Sequence, residues 1–456
     1  MIAYRIKNGK KGEIFHERIY SRSENKEIWI YGLDDKDVFN VFGKGDDLIR
    51  VRLIGGQHKD TYNIQEGRKV TFYDYKSKAS EIVTKKGNKK FSDVYETNVY
   101  NYKKLKNSTT QILPILASNP DDGFKTGFNF VNTNFGFERN PFSSQHKINA
   151  AYYFATEGFD VNYSGEFANI FPKVNFGISA SMQSPNYTIN FFGFGNYTQN
   201  LNFEDKNNFS LDYNRIRIQK LRIAPNLIWR GQLGGSLKTE IFYENNKIER
   251  TIGRFIETLN EENSVFDAQN FIGIDSKYEF ENKNNTAFPT LGFQVALQMG
   301  YVTNLDSKNN FGYVIPEIGF DYKLIESGNL VLATNFKGHL NLGNDFEFYQ
   351  GATIGANNGL RGFRNERFTG KQAYTQSTDL RWKLVDVKTN IMPIKFGVFG
   401  GYDYGRVWLQ NETSNQWHNA YGGGVFLNFI DIISTNLSVF KGDEDIRFAF
   451  QFGFAF

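Results

Sequence analysis

The chain has 456 residues, including 45 Phe and 25 Tyr, no Cys, and a formal net charge of +4. The lack of cysteine excludes disulfides, thiolate metal sites and cysteine nucleophiles, and so small a charge gives no argument for nucleic acid. Mean hydropathy is -0.49 and no stretch of about 18 apolar residues exists, which excludes a helical membrane protein but not a β-barrel, whose strands turn half their side chains to a polar lumen.

The first ten residues, Met1-Ile-Ala-Tyr-Arg-Ile-Lys-Asn-Gly-Lys, carry no apolar core of the length a secretory signal needs. An exported chain would take its signal from residues ahead of Met1, so a fragment of a longer polypeptide is the expectation. Short strand-like runs occur at Glu27–Tyr31, Leu48–Ile54 and Lys69–Tyr75, separated by turn clusters such as Gly32-Leu-Asp-Asp, Gly43-Lys-Gly-Asp-Asp and Gly55-Gly-Gln-His-Lys-Asp. They predict a small all-β region, then a polar linker over Lys76–Thr110. Gly32–Phe39 and Gly55–Tyr62 approach the Ca²⁺-binding nonapeptide pattern G-G-x-G-x-D-x-U-x, but as two imperfect copies where stacking needs three. Turn Asp and Gly residues capping short strands are the simpler reading. Ile112-Leu-Pro-Ile-Leu116 interrupts this composition and is expected to pack at the mouth of the larger domain beyond it.

From Phe124 onward, apolar residues alternate with small or polar ones, which gives each strand one apolar face. Leu291-Gly-Phe-Gln-Val-Ala-Leu-Gln-Met-Gly-Tyr301 is large and apolar at every odd position. Leu330, Leu332, Phe336 and Leu340 share a face opposite Asn335, Lys337 and His339. Likewise Ile394, Phe396, Val398, Tyr402 and Tyr404 lie opposite Lys395, Gly397 and Asp403. A two-sided hydrophobic core would not tolerate these charges; a water-filled or loop-plugged lumen does. Strands begin near 124, 145, 158, 172, 185, 208, 235, 270, 290, 310, 328, 373, 394, 417, 432 and 446, about sixteen, an even number as a single-chain bacterial barrel requires. Turns at Thr156-Glu-Gly, Gly231-Gln-Leu-Gly-Gly, Asn284–Phe288 and Glu326-Ser-Gly-Asn are expected to be periplasmic, and the connections 199–207, 248–269, 341–372 and 409–416 extracellular. In the last strand, Ile446–Phe456, residues Phe448, Phe450, Phe452, Phe454 and Phe456 form one face, and its expected partner is the strand near Phe124–Phe137. The fold class expected is all-β: a transmembrane antiparallel β-barrel of about 16 strands over 111–456, with a small β-rich periplasmic region and linker over 1–110, in a Gram-negative outer membrane.

The longest loop contains Gly359-Leu-Arg-Gly-Phe-Arg364, and Phe399-Gly-Gly-Tyr-Asp-Tyr-Gly405 comes two strands later. Together they resemble the Omp85 superfamily, whose barrels carry a (V/L)-R-G-(F/Y) loop motif and an F-x-x-x-D-x-G strand motif. Leu360, Arg361, Gly362 and Phe363 match the first; Phe399, Asp403 and Gly405 match the second. The resemblance implies that the loop folds inward as a plug and that Arg361 pairs with luminal Asp403, a fixed donor fork on a carboxylate. Gly362 and Gly405 would allow close backbone approach. It also implies that the barrel-assembly machinery reads the aromatic carboxyl-terminal strand. Superfamily members insert outer-membrane proteins or secrete partner proteins, most of them receiving clients through POTRA domains, yet residues 1–110 show no amphipathic helical periods of such a unit. Glu27–Phe39, Ile54–Tyr62 and Phe194–Tyr197 look like the carboxyl half of Bacteroidota proteins in which a calcineurin-like metallophosphoesterase precedes an Omp85-type barrel.

That resemblance implies a barrel module anchoring, or cooperating with, an upstream periplasmic domain. A translocase or insertase for protein clients and a passive porin-like channel are the alternatives. The phosphoesterase's metal motifs are missing, and His16, His58, His146, His339 and His418 show no metal-ligand spacing, so no enzymatic activity, metal or cofactor is expected of this chain. Asp443-Glu-Asp445 falls in an expected extracellular hairpin, where cations could bridge it to lipopolysaccharide, although solvated turn acids are the simpler reading. Expected partners are outer-membrane lipid and lipopolysaccharide, the assembly machinery, and a protein client or upstream domain; nucleic acid is not among them.

Overall fold

The computed structural model describes residues 1–103, 107–138, 141–171, 173–231, 233–259, 264–285, 287–390, 392–410, 412–429 and 433–454. It contains two compact units, Met1–Lys106 and Asn107–Phe456.

The larger unit is a closed antiparallel barrel of sixteen strands. In chain order these are β1 (Ser108–Asn119), β2 (Gly123–Asn134), β3 (Ser144–Tyr153), β4 (Gly158–Phe171), β5 (Val174–Gln183), β6 (Arg215–Arg230), β7 (Gly235–Ile248) and β8 (Gln269–Lys283). The second half comprises β9 (Leu291–Asn304), β10 (Asn310–Lys323), β11 (Leu330–Leu342), β12 (Gln372–Lys388), β13 (Pro393–Trp408), β14 (His418–Phe429), β15 (Ile433–Lys441) and β16 (Ile446–Phe454).

The two faces of this sheet are inverted relative to a soluble protein. Leu237, Ile241 and Tyr243 of β7 are exposed on the outer face, whereas Glu240, Glu244 and Asn246 of the same strand are buried inside. Arg222 of β6 donates inside to Glu240 at 2.7 Å and to Glu244 at 3.1 Å. Apolar side chains outside and paired charges inside define a transmembrane barrel, because a closed sheet leaves no backbone group unpaired in lipid.

Strand number agrees with expectation, but two strands differ. The expected strand near 185 is only the run Thr188–Asn190, which extends the ladder by pairing with Arg215–Arg217. In its place Ser108–Asn119 is a full strand, and Ile112–Leu116 lies inside it rather than at the mouth. This segment is apolar on both faces, so it has no period-two signal. Its Pro114 lacks a ladder N–H and falls outside the residues paired to β16, where proline is tolerated. β16 therefore closes onto β1, not onto the strand beginning near Phe124. Among the described residues that seam is short, with Leu116↔Phe452, Ala117↔Gln451 and Ser118↔Phe450, whereas the β1–β2 ladder runs from Ser108↔Asn134 to Asn119↔Gly123. Gaining β1 and losing a full strand near 185 together put the Thr156-Glu-Gly turn, between β3 and β4, at the end that carries 184–214, 249–268, 343–371 and 409–417. The turns at 231–234, 284–290 and 324–329 lie at the opposite end, as does residue 107.

The smaller unit is a two-sheet parallel solenoid behind an exposed hairpin, Ile2–Lys7 with Lys10–Glu17. Glu27–Tyr31, Arg50–Ile54, Val70–Asp74 and Asn88–Phe91 stack in one parallel sheet; Val38–Val41, Thr61–Ile64 and Glu81–Lys85 stack in the other. Leu53, Val70 and Phe72 meet Tyr62 and Ile64 between the sheets, where the Phe39 and Tyr62 rings stack at 5.3 Å. The stretch from Lys76 is therefore not linker throughout, since Glu81–Lys85 and Asn88–Phe91 belong to rungs. The turn copies Gly32–Phe39 and Gly55–Tyr62 do stack, with Tyr75–Ile82 as a third. The third copy has neither the leading Gly nor the Asp, with Ser80 in the latter's place, which hides it from a motif reading.

Candidate functional site

Between β11 and β12 the 343–371 loop turns back onto the luminal faces of β12–β14. Leu360 and Phe363 are fully buried there against Ala373, Val407 and Ala420, one from each strand. Gly359 makes the reversal possible: its φ is +84°, and a Cβ would lie 2.7 Å from the Thr375 hydroxyl. Gly362 is a close approach, where a Cβ would stand 2.5 Å from the Gly442 nitrogen. Gly405 is another, 2.6 Å from the Tyr374 carbonyl oxygen.

Arg361 lies between Leu360 and Phe363 and faces Asp403 of β13. Its Nε donates to Oδ2 at 2.9 Å and its Nη2 to Oδ1 at 2.6 Å, while its backbone N–H donates to Oδ2 at 3.0 Å. The same Nη2 donates to Asp379 of β12 at 2.7 Å, and the guanidinium covers the Phe440 ring at 4.0 Å. A bidentate fork with a second carboxylate and a π-face satisfies this half-buried cation and the fully buried Asp403 carboxylate beneath it. Phe399 also points inward, 6.4 Å from the Phe440 ring. The structure thus brings together all seven residues of the two motifs and adds Asp379 and Phe440. Asp379 sits on the luminal period of β12, but no spacing rule links it to Arg361.

Two more arginines come at intervals of three, each aimed at a different wall. Arg364 Nε donates to Asp121 Oδ1 at 2.7 Å, and the Asn365 N–H donates to Asp121 Oδ2 at 2.8 Å. Arg447 of β16 also donates to Asp121, which lies in the β1–β2 turn. Burial alone would raise the Asp121 pKa; Arg447 and Arg364 overcome it and hold the carboxyl below its ordinary range. Arg367 donates to Glu444 at 2.6 Å and to the Thr198 hydroxyl at 2.7 Å. Glu444, which also accepts from Asn200 at 2.8 Å, is an anchor for the loop rather than a solvated turn acid. The signal overlooked was the Arg361, Arg364, Arg367 spacing; the turn Pro120-Asp-Asp122 looked generic.

On β16, Phe448 is exposed and Phe450 and Phe452 are half-buried on the outer face. The Phe454 side chain and all of Phe456 lie outside the described residues.

Fold and site together define a transmembrane barrel with an arginine-anchored inward loop. The barrel is similar to BamA from Haemophilus ducreyi lacking POTRA domains 1-3, with a TM-score of 0.55 at 16% identity over 76% of this chain and 70% of that one. It is also similar to CdiB from Acinetobacter baumannii, with a TM-score of 0.50 at 11% identity over 77% of this chain. The chain spans 60% of the CdiB length. At these identities the likeness is one of fold: a closed transmembrane barrel. No family model matches the chain, and no curated protein matches it.

Proposed function

We propose that this chain is the barrel module of an Omp85-type protein in a Gram-negative outer membrane, its 343–371 loop plugging the lumen. In this reading the solenoid lies on the periplasmic side and cooperates with an upstream periplasmic domain of the calcineurin-like phosphoesterase kind; no reaction is assigned to this chain itself. The clamp on Arg361 carries the reading, because it fixes a long loop against the luminal faces of two strands, β12 and β13. The outward apolar belt supports lipid as the surrounding medium. The test is conductance and loop proteolysis of the full chain in liposomes. Low conductance and a protected loop are expected, with both changed by Arg361→Ala. A steadily open wild-type pore would favour a passive channel and sink the plug.

A second reading, a translocase or insertase for protein clients, is favoured by the β1–β16 seam, which among the described residues is short. Ala117→Cys with Gln451→Cys, opposite each other across it, would form a seal. A translocase should lose client assembly on oxidation and regain it on reduction, whereas an anchor should be indifferent.

A further inference from the structure

Parallel rungs set like residues over one another, and in the solenoid they stack acids. Asp37 and Asp60 hold the same position in successive turns, and Ser80 holds it in the third. The Asp37 N–H donates to Asp60 Oδ1 at 2.9 Å, and the Asp60 N–H donates to the Ser80 hydroxyl at 3.1 Å. Asp74 joins this column from the other sheet, its Oδ1 accepting from the Tyr75 N–H at 2.7 Å. Asp60 and Asp74 are 1% and 0% exposed.

With every acid ionised, the column has more acceptors than hydrogens. The Tyr62 hydroxyl lies 3.0 Å from the Tyr73 carbonyl oxygen and 3.1 Å from Asp74 Oδ2, two acceptors for a single hydrogen. Asp60 Oδ2 is buried with no hydrogen-bond partner. It converges on the same spot, since a Cβ on Gly55 would collide at once with Asp60 Oδ2, the Tyr62 hydroxyl and Asp74 Oδ2. The charged groups facing the column are Asp35, beside Asp37, and Lys78, toward Asp60 and Asp74. Among the described residues no ion pair reaches Asp37, Asp60 or Asp74, and no group of three or more acids or histidines could hold a metal. Two ionised carboxylates there would be both unpaired and repelling, which a low-dielectric site does not sustain.

We infer that the column is a proton-held joint: Asp60 and Asp74 retain a proton at the Tyr62 hydroxyl, and the solenoid loosens when it is lost. On Asp74 Oδ2 the proton is donated to Tyr62, which donates to the Tyr73 carbonyl; on Asp60 Oδ2 it neutralises the buried oxygen that has no partner, and in either place one of the two charges is gone. Burial and then the neighbouring acids push Asp60 up to about 7, and burial with Asp35 pushes Asp37 up to about 6. A proton held by the folded unit but not by the unfolded chain stabilises the fold at acid pH. That stabilisation fades from the ordinary aspartate range near 4 and is gone above about 7.

The test is hydrogen exchange of the full chain in detergent, comparing 27–91 with the barrel strands from about pH 5 to about pH 8. After correction for intrinsic rates, the opening constant of the solenoid should rise up to about tenfold per pH unit for each proton released, while the barrel's does not. Asp60→Asn, neutral at every pH, should flatten that rise. A flat wild-type profile, or an unflattened variant, overturns the inference. Should the variant not fold, the infrared carboxylic-acid band of the wild-type chain decides: a band persisting at pH 6 and titrating near neutrality supports the joint, and full ionisation at pH 6 overturns it. Recovery of protection at high pH on adding calcium chloride would also overturn it, in favour of a cation.

Discussion

Arg361 engages Asp403 through both arms of its fork and through its own backbone, and Asp403 is completely buried. Arg361→Ala would strand that carboxylate, at a cost of about 3–5 kcal/mol for breaking a buried pair. Arg361→Lys keeps the charge without the fork, so it should fall between wild type and Ala. Asp379→Asn leaves the Asp403 pair intact and should cost about 1–3 kcal/mol. Protease half-lives of the 343–371 loop would rank the three; an Asp379→Asn effect equal to that of Arg361→Ala would contradict the assignment of Asp403 as principal partner. The motif pair made Arg361 and Asp403 legible in the sequence because each sits in a recognisable string. Asp379 and Phe440 were not legible, since cross-strand register decides which luminal residues flank Arg361.

Among elements, β1 and β16 are held by a ladder that is short among the described residues and by Asp121, which links the first hairpin to Arg364 of the loop and Arg447 of the last strand. Asp121→Ala would leave two buried guanidiniums facing each other unpaired. Faster hydrogen exchange at 116–118 and 450–452 is expected, with the β12–β13 ladder unchanged; equal rates at the seam would show that Asp121 does not brace it. Alternation exposed most barrel strands in the sequence, such as Leu291–Asn304, because one face meets lipid and the other water. It missed Ser108–Asn119, where Leu113 and Ile115 make the luminal face apolar too. The solenoid was legible only as short strands. Its parallel pairing depends on residues about twenty apart in sequence, and the third turn copy had lost its marks.

For the whole molecule, the outer face determines where the barrel can exist. Ile241, near the middle of β7, is 58% exposed on that face. Ile241→Arg should destabilise the inserted barrel by about 2–4 kcal/mol if that position lies near the bilayer midplane. Thr239→Arg, also on the outer face but nearer the strand end, should cost less. Urea titration of both in lipid vesicles checks the depth dependence, and equal costs would argue against an apolar belt around the barrel.

Asp121 and Arg447 stand 326 residues apart in sequence, yet one carboxylate joins them to the loop's Arg364. That anchor cannot form on a partly built sheet, since it needs the first hairpin and the last strand side by side. Loop docking is therefore split by topology: Arg361 can engage Asp379 and Asp403 once β12 and β13 are paired, whereas the joint anchor of Arg364 and Arg447 on Asp121 comes only with closure. Protection at Arg364, as distinct from Arg361, would thus be a clock for assembly, reporting the moment at which an open sheet became a barrel.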